Sequence, residues 1–535
     1  MEIPIDRLAD LVAEVARGSG EDTGSVLRAV LPSVYVADEE RADVAAQLSQ
    51  TLGVPESKVA GWVEKAVNKR TGYAYDLAII KKGISKRLAI DLRERAPSLP
   101  GVEVRKGFER GYPEGTLAAH ILGTVGQITA EQLQEDTWRR RRSGDVIGQG
   151  GVEYTYDEWL RGIDGSAKVE VDSLGRPKKT VPDGTLPQNG DSLVLTIDQR
   201  IQKAAERALV RGIEQAHRDQ FWSANGAAAV VMDAANGEII AMASYPTFEP
   251  GVWSGGISDE EHDRYFTEAA NKPFFDRAIQ AGYPPASTFK VVDALAALES
   301  GVITPYTTFP CEGDFTTHGL TFKCWVYPDG HGRLDLTGAI AQSCDVYFYN
   351  IGLAFYGRKG TELADWSGRL GLGKKTGVDL PGESEGLVPT PEWRRKHFAD
   401  SSDPTDVLWK PGNSVNLSIG QGDLSATPLQ MAVTYAAIAN GGSIVTPHAG
   451  LRIVDASGET VQRLRTPEPR RSGVSQQSIK VVQAALRQAA ASPVGTSVGV
   501  FGNYPVAVCG KTGTAEVFGK DDYAWYAGYA PQEPA

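Results

Sequence analysis

The chain has 535 residues, of which 41% are hydrophobic and 23% are charged, and this composition excludes a disordered or fibrous protein and allows two or more domains. A formal net charge of −12 and a pI of about 5.3 argue against nucleic-acid binding, because phosphate contacts need a basic face. No run of about eighteen apolar residues is present, and four cysteines are too few for a disulfide framework.

Residues 1 to about 220 alternate helical and extended patterns and contain no catalytic cluster. Apolar stripes predict helices at 8–15 and at 59–67, and extended patterns predict strands at 30–36, 102–105 and 192–196. An amphipathic helix at about 199–216 leads into two apolar runs joined by Asn236-Gly237, which predicts a β-hairpin. The mixture predicts the α+β fold class.

The next stretch contains a nucleophile in a suitable setting. Pro284 and Pro285 precede an apolar helical run that ends at Gly301, so Ser287 is expected at a helix N-terminus, where free N–H groups favour negative charge. Lys290 lies one turn further on the same face. A partly desolvated lysine can activate a serine hydroxyl, although such a pair is more often a helix cap and a solvated charge.

Two later motifs favour the catalytic interpretation. Ser343-Cys344-Asp345 and then Lys511-Thr512-Gly513-Thr514 follow Ser287 in an order typical of penicillin-recognising serine enzymes, although many relatives have asparagine where Asp345 stands. A helix is predicted to start at Thr427 and end near Asn440.

The last motif is predicted to lie on an edge strand. Extended runs at 506–517 and 523–529 flank a turn, and Gly513 would allow a substrate backbone to approach closely. Gly510-Lys511-Thr512 is not a phosphate loop, because Pro505 stands where that loop needs glycine. The nucleophile-elbow pattern at 495–499 is interpreted as a loop, since no helix pattern follows it.

The chain resembles the class B penicillin-binding proteins, and most closely the penicillin-binding protein 2 branch that serves cell elongation. Besides the three motifs, the resemblance includes Arg110-Gly111-Tyr112-Pro113, residues 117–123 and Ser418-Ile419-Gly420-Gln421-Gly422. It implies a pedestal or dimerisation-type module over 1–185, a linker strand and helix over 186–222, and a transpeptidase domain over 223–535, in which helices flank an antiparallel sheet.

The chain departs from these relatives in three places. Ala286 replaces the glycine usual before the nucleophile, and we expect this to be a small change. Relatives begin with a cytoplasmic tail and a membrane helix, and they continue past the last strand into another strand and a helix, so we expect the sequence to be incomplete at both ends. The resemblance implies a bacterial cell-membrane protein with an extracytoplasmic catalytic domain and a membrane glycan polymerase as partner.

The chemistry, in agreement with the resemblance, assigns roles to the motif residues. Ser287 attacks the D-alanyl-D-alanine carbonyl of a peptidoglycan stem peptide, or the carbonyl of a β-lactam ring. Lys290 is the favoured base, and backbone N–H groups form the oxyanion site. Ser343 and Lys511 are expected to return a proton to the leaving group, and Asp345 to orient the lysines or the substrate. Thr512 and Thr514, on either side of Gly513, are expected to bind the terminal carboxylate.

A different kind of site is indicated between the first two motifs. Cys311, Cys324, His331 and Cys344 offer thiolate and imidazole, which suit tetrahedral zinc, although the spacing is not that of a standard finger. A Cys311–Cys324 disulfide and ordinary buried cysteines are alternatives. The resemblance favours structural zinc, because elongation-branch relatives hold zinc nearby. Cys509 is expected in the core.

Two other function classes stay open at this point. One is a serine carboxypeptidase or β-lactamase-type hydrolase, which would need a base for the deacylating water; no Glu-x-x-Leu-Asn element of the class A lactamase kind is present. The other is a non-enzymatic scaffold for cell-wall assembly.

Overall fold

The computed structural model of the chain describes residues 25–29, 38–61, 78–99, 102–106, 110–139, 141–142, 145–171, 177–255, 259–358, 360–517, 519 and 521–532. The predicted helix at 8–15 and the predicted strand at 30–36 lie outside these residues, and so does most of the predicted helix at 59–67.

The N-terminal part of the described chain contains short helices and small antiparallel sheets. Its elements are β1 (Ser25–Ala29), α1 (Asp38–Leu52), β2 (Ala78–Ile84), α2 (Lys86–Glu94), β3 (Val102–Lys106), α3 (Ala119–Leu122), β4 (Val125–Gln127), β5 (Val146–Gly148), α4 (Gly151–Thr155), α5 (Asp157–Leu160), β6 (Ser166–Val171), β7 (Pro177–Thr185) and β8 (Ser192–Leu195). β1 lies between β2 and β3, while β4 pairs with β5 and β6 pairs with β7. A small core of its own, which includes Leu48 and Leu92, lies under α1 and α2.

The C-terminal part is larger and more helical. Its first elements are α6 (Gln199–Arg218), β9 (Ala227–Met232), β10 (Ile239–Tyr245), α7 (Val252–Gly255), α8 (Asp259–Phe266), α9 (Lys290–Glu299), β11 (Phe309–Cys311), β12 (Asp314–Thr317), β13 (Leu320–Lys323), β14 (Gly332–Leu334), α10 (Leu336–Ala341) and α11 (Asp345–Arg358). There follow α12 (Glu362–Arg369), α13 (Pro391–His397), α14 (Pro411–Ser418), α15 (Pro428–Ala439), β15 (Ser443–Ile444), β16 (Gly450–Val454), β17 (Thr460–Arg463), β18 (Arg470–Arg471), α16 (Gln476–Ala491), α17 (Val498–Phe501), β19 (Cys509–Ala515) and β20 (Tyr523–Tyr529).

The main hydrophobic core surrounds α9. Every residue of this helix from Lys290 to Ala297 is buried. α12 and α16 cover most of it, and α10 and α11 contact it over a smaller area. The hairpins β9–β10 and β19–β20 are separate antiparallel pairs that both contact α15. A helix that is apolar on all sides is stable only when other elements enclose it, so α9 fixes where these elements pack.

Polar contacts join the two parts of the chain. Glu206 of α6 accepts hydrogen bonds from the Ala118 backbone N–H at 2.8 Å and from the Gln202 side chain at 2.9 Å. From the N-terminal part, the Tyr156 hydroxyl donates to Asp379 at 2.6 Å. The 117–123 segment recognised in the sequence is therefore held against the helix that leads into the C-terminal part.

The predicted α+β class is confirmed, and most of the predicted elements agree with the structure. The helix at 199–216 is α6, the Asn-Gly hairpin is β9–β10, and the helix after Thr427 is α15, which Thr427 and Gln430 start with a capping box. The strand predicted from residue 506 is wrong at its start, because β19 begins at Cys509.

The interpretation of 495–499 also needs a correction. A short helix, α17, begins at Val498, where no helix was predicted. Ser497 is still not a nucleophile, since it is 5% exposed and its hydroxyl donates to the Ala489 carbonyl at 3.1 Å. Among the described residues, no helix has both the length and the apolar character needed to cross a membrane.

We predict that Gly123→Ala destabilises the chain more than Gly115→Ala. Both glycines have a positive φ, +79° and +61°, which a residue with a Cβ adopts only with strain, so each substitution should cost about 1–3 kcal/mol. A Cβ at Gly123 would in addition overlap the backbone of Gly150, whereas Gly115 has open space around it. Urea unfolding should show an extra loss of about 1–3 kcal/mol at Gly123, and equal losses at both sites would contradict this packing.

Candidate active site

Ser287 lies in a tight turn immediately before α9. Residues Ala286–Phe289 form a 3-10 turn, and Lys290 is the first residue of the α-helix, so the serine precedes the regular helix rather than lying within it. Two outside contacts hold this turn: the Ala286 N–H donates to the Gly420 carbonyl at 2.9 Å, and the Tyr435 hydroxyl donates to the Thr288 carbonyl at 3.0 Å. Ser287 itself is half-buried.

Lys290 is fully buried and binds the second motif. Its Nζ donates to the Ser343 carbonyl at 2.9 Å, to the Ser343 hydroxyl at 3.4 Å and to Asp345 Oδ1 at 2.7 Å. Three acceptors match the three N–H donors of an ammonium group. Among the described residues none of the hydrogen bonds of Lys290 reaches Ser287, so the resting side chain is directed to the second motif.

The second motif lies in the short connection between α10 and α11 and at the first residue of α11. Ser343 is 7% exposed and has a left-handed φ of +57°, which is uncommon for serine and often marks a functional position. Asp345 is the first residue of α11, where a carboxylate is favoured by the helix dipole. Its second oxygen accepts the Trp325 backbone N–H at 3.1 Å.

Lys511 is also fully buried, and its surroundings favour the neutral amine. Burial, with added repulsion from Lys290, holds the pKa of Lys511 well below its ordinary value, while Asp345 opposes this shift. Its Nζ donates to the Thr512 carbonyl at 2.8 Å. The site thus holds one lysine against a carboxylate and one whose charge is disfavoured.

The third motif lies on β19, and β20 is the one strand that pairs with it among the described residues. Gly513 has a function that the sequence did not reveal, because a Cβ there would lie 3.1–3.2 Å from atoms of Thr288 and Pro285. The glycine therefore lets β19 pack closely against the turn at Ala286–Phe289, which contains Ser287. Thr514 is exposed, and Thr512 is half-buried beside it.

Gln421, from the segment after α14, occupies the far end of β19. With the amide oriented to satisfy its partners, its nitrogen donates to the Glu516 carbonyl at 3.2 Å and its oxygen accepts the Glu516 N–H at 3.0 Å. Gly420 beside it needs its left-handed φ of +77°, and a Cβ there would overlap the Ala286 carbonyl. The 418–422 segment therefore contacts both the turn at Ala286–Phe289 and the end of β19.

The four predicted metal ligands lie together. One ligand atom from each of Cys311, Cys324, His331 and Cys344 lies within 4.8 Å of the others, and His331 Nδ1 is 3.5 Å from the sulfur of Cys311 and 3.6 Å from that of Cys324. A hydrogen bond from Cys344, assisted by His331, lowers the pKa of the Cys324 thiol although burial opposes this. All four cysteines of the chain are free thiols, and Cys509 is buried in the core.

Trp325 connects this cluster to the second motif, and the sequence interpretation missed it. Besides its backbone bond to Asp345, its indole Nε1 donates to the Gln342 carbonyl at 3.0 Å, and its ring lies 5.6 Å from that of His331. Its only sequence signal was its position directly after Cys324.

Comparison with known proteins identifies related domains and chains. The profile of the penicillin binding protein transpeptidase domain matches residues 227–535, and that of the penicillin-binding protein dimerisation domain matches residues 23–195. The peptidoglycan D,D-transpeptidase MrdA of Acinetobacter baumannii is 31% identical over 519 residues, which cover 94% of this chain and 71% of the relative. The Escherichia coli MrdA is 32% identical over 436 residues, which cover 78% of this chain and 63% of that relative.

Solved structures agree with these matches. Penicillin-binding protein 2 of Helicobacter pylori in complex with MreC superposes with a TM-score of 0.79 and 27% identity, covering 96% of this chain and 90% of that one. A chain from a peptidoglycan synthase complex that coordinates polymerization and crosslinking gives a TM-score of 0.68 and 30% identity, covering 96% and 82%.

We predict that Ala286→Gly stabilises the chain, in contrast to the small effect expected from the sequence. Ala286 has a left-handed φ of +50°, which costs a residue with a Cβ about 1–2 kcal/mol. Glycine removes that cost, and the greater freedom of the unfolded chain takes back about 0.4–1 kcal/mol. Urea unfolding should therefore show a gain of about 1 kcal/mol, whereas Ala294→Gly within α9 should lose about 1 kcal/mol or more. A loss for both variants would contradict strain at Ala286.

Proposed function

The chain belongs to the penicillin-binding proteins and is a serine-type peptidoglycan D,D-transpeptidase, and from this premise we propose that it cross-links stem peptides during cell elongation through an acyl-enzyme on Ser287. The observation that carries the assignment is the convergence of all three motifs at the start of α9. Lys290 binds both Ser343 and Asp345, and β19 packs against the turn that contains Ser287.

In the proposed acylation step, the Ser287 oxygen attacks the carbonyl carbon of the D-alanyl-D-alanine bond. Lys290 passes one of its three protons through Ser343 to the neutral amine of Lys511 and then takes the hydroxyl proton of Ser287. The negative oxygen of the intermediate is held by the N–H groups of Ser287 and Thr514. Breaking of the C–N bond then releases D-alanine, whose amine takes a proton through Ser343 and Lys511. The amine of a second stem peptide attacks the ester and frees Ser287.

The structure supports transfer over hydrolysis. Asp345 is engaged by Lys290 and Trp325. Asp293, one turn after Lys290 on α9, is fully buried with no hydrogen-bond partner among the described residues. Burial raises the pKa of its carboxyl well above the ordinary value, although the charge of Lys290 opposes this. A carboxyl without solvent exposure is poorly placed to activate water, so we propose that the acyl-enzyme waits for an amine.

We propose a membrane setting and a polymerase partner on the basis of the relatives. One solved relative is bound to MreC, and another belongs to a complex that coordinates polymerization with crosslinking. By analogy, the catalytic domain acts outside the cytoplasmic membrane beside a membrane glycan polymerase, which supplies the strands whose stem peptides are joined. β-Lactams inhibit it because they mimic the terminal dipeptide.

We propose that Cys311, Cys324, His331 and Cys344 hold a structural zinc ion. Tetrahedral zinc bonded to sulfur and nitrogen at its usual distances separates those two atoms by about 3.6 Å, and the observed separations of 3.5 and 3.6 Å agree. With four protein ligands no position is left for water, so the ion would supply no chemistry of its own. It would keep β11, β13 and the start of α11 together, and with them Asp345.

Acylation by benzylpenicillin tests the catalytic assignment. Intact-mass analysis should show one added penicilloyl group in the unchanged chain, none in Ser287→Ala and almost none in Lys290→Ala, because only Ser287 combines this turn with a lysine at its C-terminal end. Ser300→Ala, at the other end of α9, is the matched control and should be acylated normally. A mass shift that persists in Ser287→Ala would rule out the assignment.

The same samples separate a transferase from a hydrolase or a scaffold. The adduct should last for many turnover times of a β-lactamase, and nitrocefin should be consumed in about one equivalent. Rapid nitrocefin turnover would favour a hydrolase, and no adduct on a folded chain would favour a scaffold.

Metal analysis tests the zinc proposal. The purified chain should contain about one zinc per molecule, and His331→Ala should lose the metal and melt at a lower temperature. His318→Ala is the matched control, because His318 lies on the nearby β12–β13 turn and contacts Thr317 and Tyr356 instead of the cluster. A metal-free chain with Cys311 and Cys324 joined in a non-reducing peptide map would refute the proposal.

A further inference from the structure

β19 carries two hydroxyl groups on one face. Thr512 and Thr514 are two residues apart, so their side chains leave the strand on the same side, opposite to those of Lys511 and Gly513. Under the proposed function these threonines bind the terminal carboxylate of the donor stem peptide. A third hydroxyl lies beside them.

This hydroxyl belongs to Thr496, in the segment between α16 and α17. The Thr512 hydroxyl donates to the Thr496 hydroxyl at 2.8 Å. The Thr496 backbone N–H donates to the carbonyl of Ala341, the last residue of α10, at 3.2 Å. Thr496 therefore bridges the catalytic strand and the segment that leads into Ser343.

Thr496 is held rigidly by its two neighbours. A Cβ on Gly495 would lie 2.5 Å from the carbonyl oxygens of Gln488 and Ala489, so only glycine allows this segment to pack on the end of α16. The backbone N–H and the hydroxyl of Ser497 both donate to the Ala489 carbonyl, at 3.0 and 3.1 Å. A group fixed in this way loses little conformational entropy when it binds a ligand.

The hydrogen-bond inventory leaves Thr496 with a proton to donate. A hydroxyl has one donor and two acceptor sites, and Thr496 already accepts the proton of Thr512. Among the described residues the Thr496 hydroxyl makes no hydrogen bond other than the one with Thr512, in which Thr512 is the donor. Thr496 is half-buried, so a bound ligand can reach this donor.

We propose that Thr496 is a third hydroxyl of the carboxylate pocket and donates a hydrogen bond to the C-terminal carboxylate of the donor stem peptide, a proposal that rests on the function proposed above. Because the Thr512 proton is directed at Thr496, the hydroxyl donors that reach the carboxylate in this arrangement are those of Thr496 and Thr514, which lie on two separate segments. This fixes the carboxylate in position and thereby selects peptides that end in a free carboxylate.

Penicillins carry the same carboxylate and provide the test. The second-order rate constant of acylation is measured with benzylpenicillin and with its methyl ester, which lacks the charged acceptor. Thr496→Val should lower the rate constant for benzylpenicillin about tenfold or more, because a hydrogen bond to a charged group is lost, and should change that for the ester less than about twofold. Thr496→Ser keeps the hydroxyl and should change neither rate constant by more than about twofold.

Two further variants separate a direct role of the Thr496 hydroxyl from an effect of side-chain shape or of Thr512. Thr496→Ala removes the same hydroxyl without the branched side chain and should reproduce the effect of Thr496→Val. In a Thr512→Val background the loss caused by Thr496→Val should persist; its disappearance would show that Thr496 acts only through Thr512 and would overturn the proposal.

Equal losses for benzylpenicillin and its ester, or no loss for either, would also overturn the role of Thr496 while leaving the Ser287 chemistry intact. Failure of the unchanged chain to be acylated would instead overturn the proposed function, and the role of Thr496 with it.

Discussion

The active site depends on one buried ion pair, between Lys290 and Asp345. Lys290 has no solvent exposure, and its ammonium meets a carboxylate at 2.7 Å and two oxygens of Ser343. A buried charge is tolerated only with such partners, and removing one partner commonly costs about 3–5 kcal/mol. Because the pair joins α9 to α11, the serine and the second motif cannot separate without breaking it. Burial lowers the pKa of Lys511, and the charge of Lys290 lowers it further, so the positive charge is disfavoured on Lys511.

Backbone geometry around this pair is unusual at several points. Ala286 and Ser343 both have left-handed conformations. A Cβ at Gly420 would overlap the Ala286 carbonyl, and a Cβ at Gly513 would lie in tight contact with Thr288 and Pro285. Such positions persist only when the surrounding packing determines them. Here the close approach of the 418–422 segment, the nucleophile turn and β19 supplies that packing, and the cleft is built from backbone as much as from side chains.

The cysteine and histidine cluster influences the same cleft from outside. Trp325 follows Cys324 directly, bonds Asp345 through its backbone and Gln342 through its indole, and lies against His331. Any change that loosens the cluster is therefore passed to the carboxylate that pairs with Lys290. Under the proposed function, this physical connection is the route by which the cluster would affect acylation.

The α+β class, the family and the main elements of the C-terminal part could all be predicted without coordinates, because turn residues, caps and periodicity are local signals; the capped helix after Thr427 and the Asn-Gly hairpin are examples. The order of the motifs also predicted the catalytic residue types. Three features became visible only in the folded chain: Lys290 binds Asp345 instead of Ser287, Ala286 has a left-handed φ, and Thr496 reaches Thr512. These features depend on contacts between residues that are distant in the chain, and no local pattern encodes which of them meet.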